Sequence, residues 1–289
     1  MTTKPIARSM ALACALAVAV CLAPVERARA AVFHVCQFDT ATLSFGGSPQ
    51  EQAACLLSMP GQKRHVRLPA VLQRLVGRDA GGVAQRLERL LAARGYDSAH
   101  VGGDVRARFS KARAGYASAP LPRYFVIHDT AAPVFRGSFP RDIDTSPRVN
   151  RLDGYLGPDA VAHVFINRLG ASRSGHDFDV PWRGTKFEVF VMREAGLGMF
   201  LHVELVQPRR IAPSGRTIGL RPGFTQRQYE RLALTYAAAS ARAGHWLIPA
   251  LHARVDQGLQ NAHTDPHDFS LHAFAKALQR LLADLNAGS

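Results

Sequence analysis

The chain has 289 residues, 47% of them hydrophobic and 20% charged, and a formal net charge of +14. This composition is that of a globular protein that buries a full hydrophobic core in one or two domains. The basic charge favours anionic partners such as cell-wall polymers or lipid headgroups. It argues against nucleic acid as a partner, because the arginines are scattered and no recognisable nucleic-acid-binding motif is present.

Residues 1–30 have the pattern of a secretory signal peptide. Lys4 and Arg8 precede an apolar run from Met10 to Ala23, and Ala28-Arg29-Ala30 supplies small residues for cleavage. Fourteen apolar residues are few for a permanent bilayer span, so we expect cleavage, with a retained N-terminal anchor as the alternative. The mature protein is then expected in the periplasm or secreted, without stable membrane insertion and with a net charge of +11.

Export changes the interpretation of the cysteines. Cys14 and Cys21 would leave with the signal, so that the mature chain keeps only Cys36 and Cys55. In an oxidising compartment these two are expected to form one disulfide. A metal site is the weaker alternative, because neither cysteine belongs to a C-x-x-C pair.

Residues 31–119 are loop-rich and then helical. Apolar residues recur at helical spacing over Leu68–Val76 and Val83–Arg94, and Ser48–Met59 is a further candidate helix. The segment contains no acid pair, histidine cluster or phosphate-binding loop. We interpret it either as a small accessory domain or as an extension that stabilises the main domain, with a linker near residues 114–122.

Residues 120–289 are expected to form the main, catalytic domain. Its pattern predicts strands followed by a long helix with Thr225 as N-cap and Gly244 at its end, and then a final helix over Leu271–Leu285. The fold class is therefore α/β, with a central mixed sheet flanked by helices and a small, mainly helical N-terminal extension. The predicted strands are Tyr124–His128, Ala162–Arg168, Phe187–Met192 and Met199–Val206.

His128 ends a buried strand, which is where α/β sheets place their chemistry. A second histidine, His252, and an acid, Asp265, follow near the C-terminus. Two neutral imidazoles and one carboxylate form a ligand set that leaves the fourth tetrahedral position of Zn²⁺ to water. Because the chain has twelve histidines, this spacing alone is only moderately specific.

Four sequence blocks resemble the zinc-dependent N-acetylmuramoyl-L-alanine amidases, the family that shares its fold with T7 lysozyme and the peptidoglycan recognition proteins. They occur in the order in which the family has them, and together they are far more specific than any one block. The blocks are Val126-Ile-His128-Asp-Thr-Ala131, Ala162-His-Val-Phe-Ile-Asn-Arg-Leu-Gly170, Leu201-His-Val-Glu204-Leu205, and His252 followed by Thr264-Asp265-Pro266 and Phe269.

The resemblance implies that His128, His252 and Asp265 bind Zn²⁺, that Glu204 is the general base and that His263 stabilises oxyanion charge. The implied substrate is peptidoglycan or a muropeptide. Three features depart from the family pattern. Asp265 lies thirteen positions after His252, a longer spacing than in the shorter relatives, which weakens the transfer of a role to His263. Ala162 replaces a tyrosine that is functional in some relatives, and His202 replaces the usual glycine.

Several alternatives remain open at this level. A non-catalytic peptidoglycan-binding module and a zinc peptidase acting on the stem peptide would use the same fold. Glu204 could pair with Arg209 or Arg210, and Asp265 could begin a turn. His245 and His267 are rival histidines for the metal, although a helix stop is enough to explain His245 and His267 is expected to be exposed. His163 is expected to pack near the site without binding the metal, and His202 to line the pocket. Trp182 and Arg183–Lys186 are either substrate contacts or loop anchors.

Overall fold

Ten strands and seven α-helices make up the part of the chain that this computed structural model describes, namely residue 1 and residues 35–59, 61–62, 65–110, 120–220 and 223–287. The strands are β1 (Phe38–Asp39), β2 (Ser44–Phe45), β3 (Tyr124–Asp129), β4 (Val134–Arg136), β5 (Val164–Ile166), β6 (Ser172–Ser174), β7 (Phe200–Leu205), β8 (Arg209–Ile211), β9 (Thr217–Leu220) and β10 (Ile248–Leu251). The helices are α1 (Pro49–Leu56), α2 (Ala70–Leu75), α3 (Val83–Ala93), α4 (Pro147–Asn150), α5 (Gln226–Ala243), α6 (His252–Val255) and α7 (Leu271–Ala287).

Apart from residue 1, the predicted signal peptide lies outside the described residues, as does most of the predicted linker. In the described ranges, no helix has the length and apolar character needed to cross a bilayer.

The central sheet has five strands in the order β10-β3-β7-β5-β6, parallel except for the edge strand β6. Every residue of β3 and β7 is buried, as expected for parallel strands that are covered on both faces. The predicted α/β class with mixed sheets and flanking helices is therefore confirmed. A second sheet, β4-β8-β9, contains both a parallel and an antiparallel pairing.

The long helix α5 begins and ends where the sequence predicts. The hydroxyl of Thr225 accepts the Gln228 N–H, while the Gln228 side chain accepts the Thr225 N–H, so the first turn is closed by a capping box. Gly244 ends the helix with a φ of +79°, a left-handed conformation that favours glycine. Helix α7 packs against α5 and closes the chain.

Residues 31–289 form one compact unit, and the N-terminal segment contributes to the same hydrophobic core as the central sheet. The Tyr124 hydroxyl, at the start of β3, accepts the Phe45 N–H at 3.1 Å and donates to Gln52 at 2.9 Å. On α6, Arg254 donates to the Ser58 carbonyl at 2.8 Å. These contacts join the N-terminal segment to β3 and to α6.

Cys36 and Cys55 form a disulfide that spans 19 positions, as expected from the sequence. The bond joins the loop before β1 to helix α1, whose N-terminus is capped by Ser48. Both cysteines are buried in the core.

The strand predicted over Phe187–Met192 is wrong. Residues Glu188–Met192 form a π-helical turn, followed by a 3₁₀ turn over Arg193–Gly196. The β-favouring residue types mislead here because tertiary contacts decide the backbone. Phe187 packs at 4.9 Å from the Phe38 ring, and its N–H donates to a carboxylate of Asp256 at 3.0 Å.

Candidate metal centre

A cavity of about 940 Å³ opens at the carboxyl edge of the parallel strands. His128 is the penultimate residue of β3, and His252 follows the last residue of β10, which pairs with β3. Glu204 on β7 is the register partner of His128. Because parallel strands end at the same edge of a sheet, side chains far apart in sequence meet on the cavity floor.

Three donor atoms converge on this floor. The Nδ1 atoms of His128 and His252 are 2.8 Å apart. The Oδ2 atom of Asp265 lies 3.1 Å from His252 Nδ1 and 3.8 Å from His128 Nδ1. Donor atoms around a tetrahedral zinc ion are separated by about 3.3 Å, given bond lengths of about 2.0–2.1 Å. The observed separations bracket this value, so the residues fit a divalent metal ion.

The side chains of the two histidines are buried, and that of Asp265 is only 13% exposed. Asp265 is held in place by hydrogen bonds to its side chain and to its backbone carbonyl. Its Oδ2 accepts the Asp129 N–H at 3.2 Å, and its carbonyl accepts the Ala253 N–H at 2.7 Å. The long loop after α6 is therefore tied both to β3 and to the helix that carries His252.

The surroundings of His128 and His252 shift their pKa values in opposite directions. Burial, followed by the neighbouring imidazoles of His252 and His202, holds the pKa of His128 well below its usual value. Burial also opposes the charge on His252, but hydrogen bonds with Asp256 and Asp265 outweigh it and raise the pKa of His252 to about 10. Metal binding therefore requires His252 to lose a proton, as for any imidazole ligand.

Glu204 lines the same cavity as the three ligand residues. It is 9% exposed, and its Oε2 is buried without a hydrogen-bond partner among the described residues. Burial raises the pKa of Glu204 well above its usual value, and the carboxylates of Asp265 and Asp129 raise it further. No ion pair joins Glu204 to Arg209 or Arg210 in the described structure, so the structural alternative for this residue is not observed.

His263 lies at the edge of the same cavity with a half-exposed side chain. Its Nδ1 is 2.8 Å from Asp256 Oδ2, and its ring centroid is 4.3 Å from that of His252. It does not belong to the group formed by His128, His252 and Asp265. It belongs to a second group, with His252 and Asp256, whose potential ligand atoms are also close together.

The other histidines considered from the sequence lie outside the three-atom group. His163 is buried beneath His202, with its ring 5.6 Å away, and its Nε2–H donates to the Val180 carbonyl. His267 is partly exposed, and its Nδ1 lies 3.0 Å from Asp129. His245 follows Gly244 at the end of α5 and does not line the cavity.

The rim of the cavity is aromatic and basic. Trp182 lines it and stacks on His176 with ring centroids 4.3 Å apart. Phe190, on the π-helical turn, is 64% exposed, although it is a large apolar residue. Arg183, Lys186 and Arg209 add positive charge around the opening.

Two buried carboxylates, Asp256 and Glu188, lie behind the histidines, and the sequence patterns predict no role for either. Asp256 Oδ2 is 3.1 Å from His252 Nε2, and Glu188 Oε2 is 3.1 Å from His202 Nε2. The i, i+4 spacing of His252 and Asp256 on a helix was the signal available for the first contact. No comparable signal existed for Glu188, because its segment was predicted to be a strand.

No protein-family model matches this chain, and neither the curated proteins nor the solved structures include a significantly similar one. The family resemblance therefore depends on the four sequence blocks, and the activity that it implies is a proposal.

Proposed function

We propose that this chain is an exported zinc amidase that hydrolyses the amide bond between N-acetylmuramic acid and L-alanine in peptidoglycan. The observation that carries the proposal is the convergence of His128 Nδ1, His252 Nδ1 and Asp265 Oδ2 within 3.8 Å at the floor of an open cavity. These are the residues that the four sequence blocks select as ligands. We also propose that the chain has the T7 lysozyme-like fold.

His128, His252 and Asp265 would hold the metal ion. When bound, zinc polarises the scissile carbonyl and lowers the pKa of water to about 7. The proposal favours zinc because two imidazoles and one carboxylate are a common protein ligand set for catalytic zinc.

Glu204 is the general base of the proposed reaction. Its unpartnered Oε2 at the cavity floor accepts a proton from the attacking water, and the same carboxyl group then donates a proton to the leaving nitrogen. The burial that raises the pKa of Glu204 favours this proton transfer, because it makes the ionised carboxylate a stronger base toward the water.

His263 is the proposed donor to the carbonyl oxygen as that oxygen gains negative charge. Its position on the cavity wall beside His252 supports the role. Asp256 accepts the Nδ1–H of His263, so the proposed donor to the carbonyl oxygen is the Nε2–H of the protonated ring. Groups that are held in place before the reaction stabilise developing charge most effectively.

The rim of the cavity supports an anionic, partly apolar substrate. Arg209 matches a carboxylate of a stem peptide, and the exposed faces of Trp182 and Phe190 match sugar rings or aliphatic groups. The full chain has a net charge of +14, and the +11 that remains after removal of residues 1–30 would attract it to a negatively charged cell wall. Export agrees with the disulfide and with the predicted signal peptide.

Mass spectrometry of muropeptides digested with the purified protein tests the proposal. An amidase releases intact stem peptides, whereas a zinc peptidase shortens them and a binding module cleaves nothing. Metal analysis is needed beside the digest. Purified protein that takes up no zinc and releases no stem peptide would contradict the proposal.

A further inference from the structure

Each histidine of the proposed metal centre is backed by a buried carboxylate. We infer that Glu188, acting through His202, and Asp256 are positioning residues that hold the proton of each neutral ring on Nε2 and so direct the Nδ1 atoms of His128 and His252 at the metal ion. This inference rests on the zinc site of the proposed function and adds to it the residues that prepare its ligands.

The first chain of contacts runs from His128 away from the cavity. His128 Nε2 is 3.1 Å from His202 Nδ1, and His202 Nε2 is 3.1 Å from Glu188 Oε2 and 3.3 Å from Glu188 Oε1. His202 and Glu188 are fully buried. Glu188 acts as an acceptor toward Gly184 and Thr185, and with this acceptor at its end the chain is satisfied by one arrangement: His202 Nε2–H donates to Glu188, and His128 Nε2–H donates to His202 Nδ1. This leaves His128 Nδ1 without a proton.

The N–H of Gly184 is the one donor that complicates this arrangement. It lies 3.1 Å from His202 Nε2 and 3.2 Å from Glu188 Oε2. We assign it to the carboxylate, which is the stronger acceptor. If His202 Nε2 carried no proton, its lone pair would face Glu188 Oε1 in a buried site, which is unfavourable. A side chain at position 184 would also clash, since its Cβ would lie 2.6 Å from the His202 ring.

Glu188 is itself held rigidly. Its Oε2 accepts the N–H of Thr185 at 3.1 Å and the hydroxyl of Thr185 at 2.8 Å. The π-helical turn that begins at Glu188 thus places a fixed carboxylate behind His202. His202 stands where the family that the sequence resembles has glycine, so this chain of contacts belongs to this protein and is not a general feature of that family.

The second chain is shorter. Asp256 Oδ2 lies 3.1 Å from His252 Nε2 and 2.8 Å from His263 Nδ1, while Asp256 Oδ1 accepts the Phe187 N–H at 3.0 Å. Asp256 is fully buried. Because the carboxylate accepts the Nε2–H of His252, Nδ1 is the nitrogen left for the metal once the ring is neutral. A carboxylate behind a metal-bound histidine is a recurrent arrangement that fixes both the tautomer and the ring orientation.

Amide substitutions test the direction of the protons without changing side-chain shape. In Glu188→Gln, the amide oxygen can keep the three bonds from Gly184 and Thr185, and the NH₂ group then faces His202 Nε2. The protons along the chain would reverse, so that His128 presents an N–H to the metal. In Asp256→Asn, the oxygen can keep the Phe187 N–H, and the NH₂ group faces His252 with the same effect.

Zinc affinity, measured by competition with a chromophoric chelator, is the first readout. We expect Glu188→Gln and Asp256→Asn each to bind zinc about 10- to 100-fold more weakly than the wild type. Glu88→Gln and Asp284→Asn are the matched controls, because these acids form exposed ion pairs with Arg106 and Arg94. Folded variants that bind zinc as tightly as the wild type would overturn the inference.

Histidine-selective ¹⁵N NMR of the zinc-loaded wild type is the second readout, and it needs no folded variant. We expect the Nε2–H tautomer at His128, His202 and His252, with His128 and His252 metal-bound through Nδ1. An Nδ1–H tautomer at His202 would overturn the first chain. A wild-type protein that binds no zinc would overturn the proposed function together with this inference. A wild type that binds zinc and hydrolyses muropeptides, together with Glu188→Gln and Asp256→Asn variants of unchanged zinc affinity, would overturn this inference and leave the proposed function standing.

Discussion

His128 and Glu204 are register partners on the neighbouring parallel strands β3 and β7. Since partners in one register project to the same face of a sheet, the first proposed ligand and the proposed general base reach the same cavity without any loop to adjust. The sheet therefore fixes the position of His128 relative to Glu204. The loop after α6 contributes only the third proposed ligand, Asp265.

Glu204→Gln should separate metal binding from catalysis. The side chain keeps its shape but no longer accepts a proton, so we expect turnover to fall by about 10²- to 10⁴-fold while zinc content is unchanged. Muropeptide hydrolysis and metal analysis of the same preparation measure the two effects. Glu88→Gln, a substitution remote from the cavity, should behave as the wild type. Near-normal turnover of Glu204→Gln would show that another group is the base.

Asp265→Ala should remove both zinc and activity. The substitution deletes one of three ligand atoms and leaves the Asp129 N–H without its acceptor. Because loss of an outer-shell group already weakens metal binding about 10- to 100-fold, loss of a ligand should weaken it by more than about 100-fold. Chelator competition gives the affinity. Retention of stoichiometric zinc at wild-type affinity would exclude Asp265 as a ligand and support its alternative role in a turn.

His263→Ala should lower kcat and leave the metal in place. His263 lies outside the group formed by His128, His252 and Asp265, so zinc content should equal that of the wild type. Loss of a donor to the developing oxyanion should reduce kcat by about 10²- to 10³-fold. Steady-state kinetics on a defined muropeptide measure this change. An unchanged kcat would remove His263 from the catalytic residues.

His163 should make stability depend on pH. Its Nδ1 accepts the His202 N–H and its Nε2–H donates to the Val180 carbonyl, so the folded protein requires the neutral ring. Burial, followed by the neighbouring His202, lowers the pKa of His163 well below 6.5. The unfolded chain takes up this proton below about pH 6.5, and the folded chain does not. The contribution to the free energy of unfolding is therefore complete above that pH and falls by about 1.4 kcal/mol per pH unit below it.

Urea unfolding of metal-free His163→Gln and wild type at pH 7.5 and 5.5 measures the His163 contribution. The other buried histidines are common to both proteins, so their contribution cancels in the comparison. We expect a shallower loss of stability at acidic pH in the variant. Equal losses in the two proteins would show that His163 is not the titrating group.

Reduction of the Cys36–Cys55 disulfide should destabilise the fold. Closing a loop of 19 positions restricts the unfolded chain, which corresponds to about 3 kcal/mol in the chain-entropy account. Urea unfolding with and without reductant measures the difference, and a Cys36→Ser/Cys55→Ser double variant should be insensitive to reductant. Unchanged stability of the reduced wild type would contradict this prediction.

Residue types predicted the elements whose stability is local or depends on simple burial. The apolar run of β3, the cap at Thr225 and the stop at Gly244 all carry their own signals. Phe187–Met192 was mispredicted because its backbone follows from contacts with Phe38 and Asp256, which no local pattern reveals. His202 was expected only to line the pocket, and its contact with Glu188 depends on the turn that the pattern missed.

Arg254 donates hydrogen bonds to the Ser58 and Met59 carbonyls in the loop after α1. It lies two residues after His252 on the same short helix. A fragment that starts near Pro120 would lack these carbonyls, so α6, the short helix that carries His252, would lose the hydrogen bonds that hold it in place. Anyone trimming this protein for assay or engineering should therefore retain the segment from Cys36 to Phe109, even though the proposed ligands all lie after it.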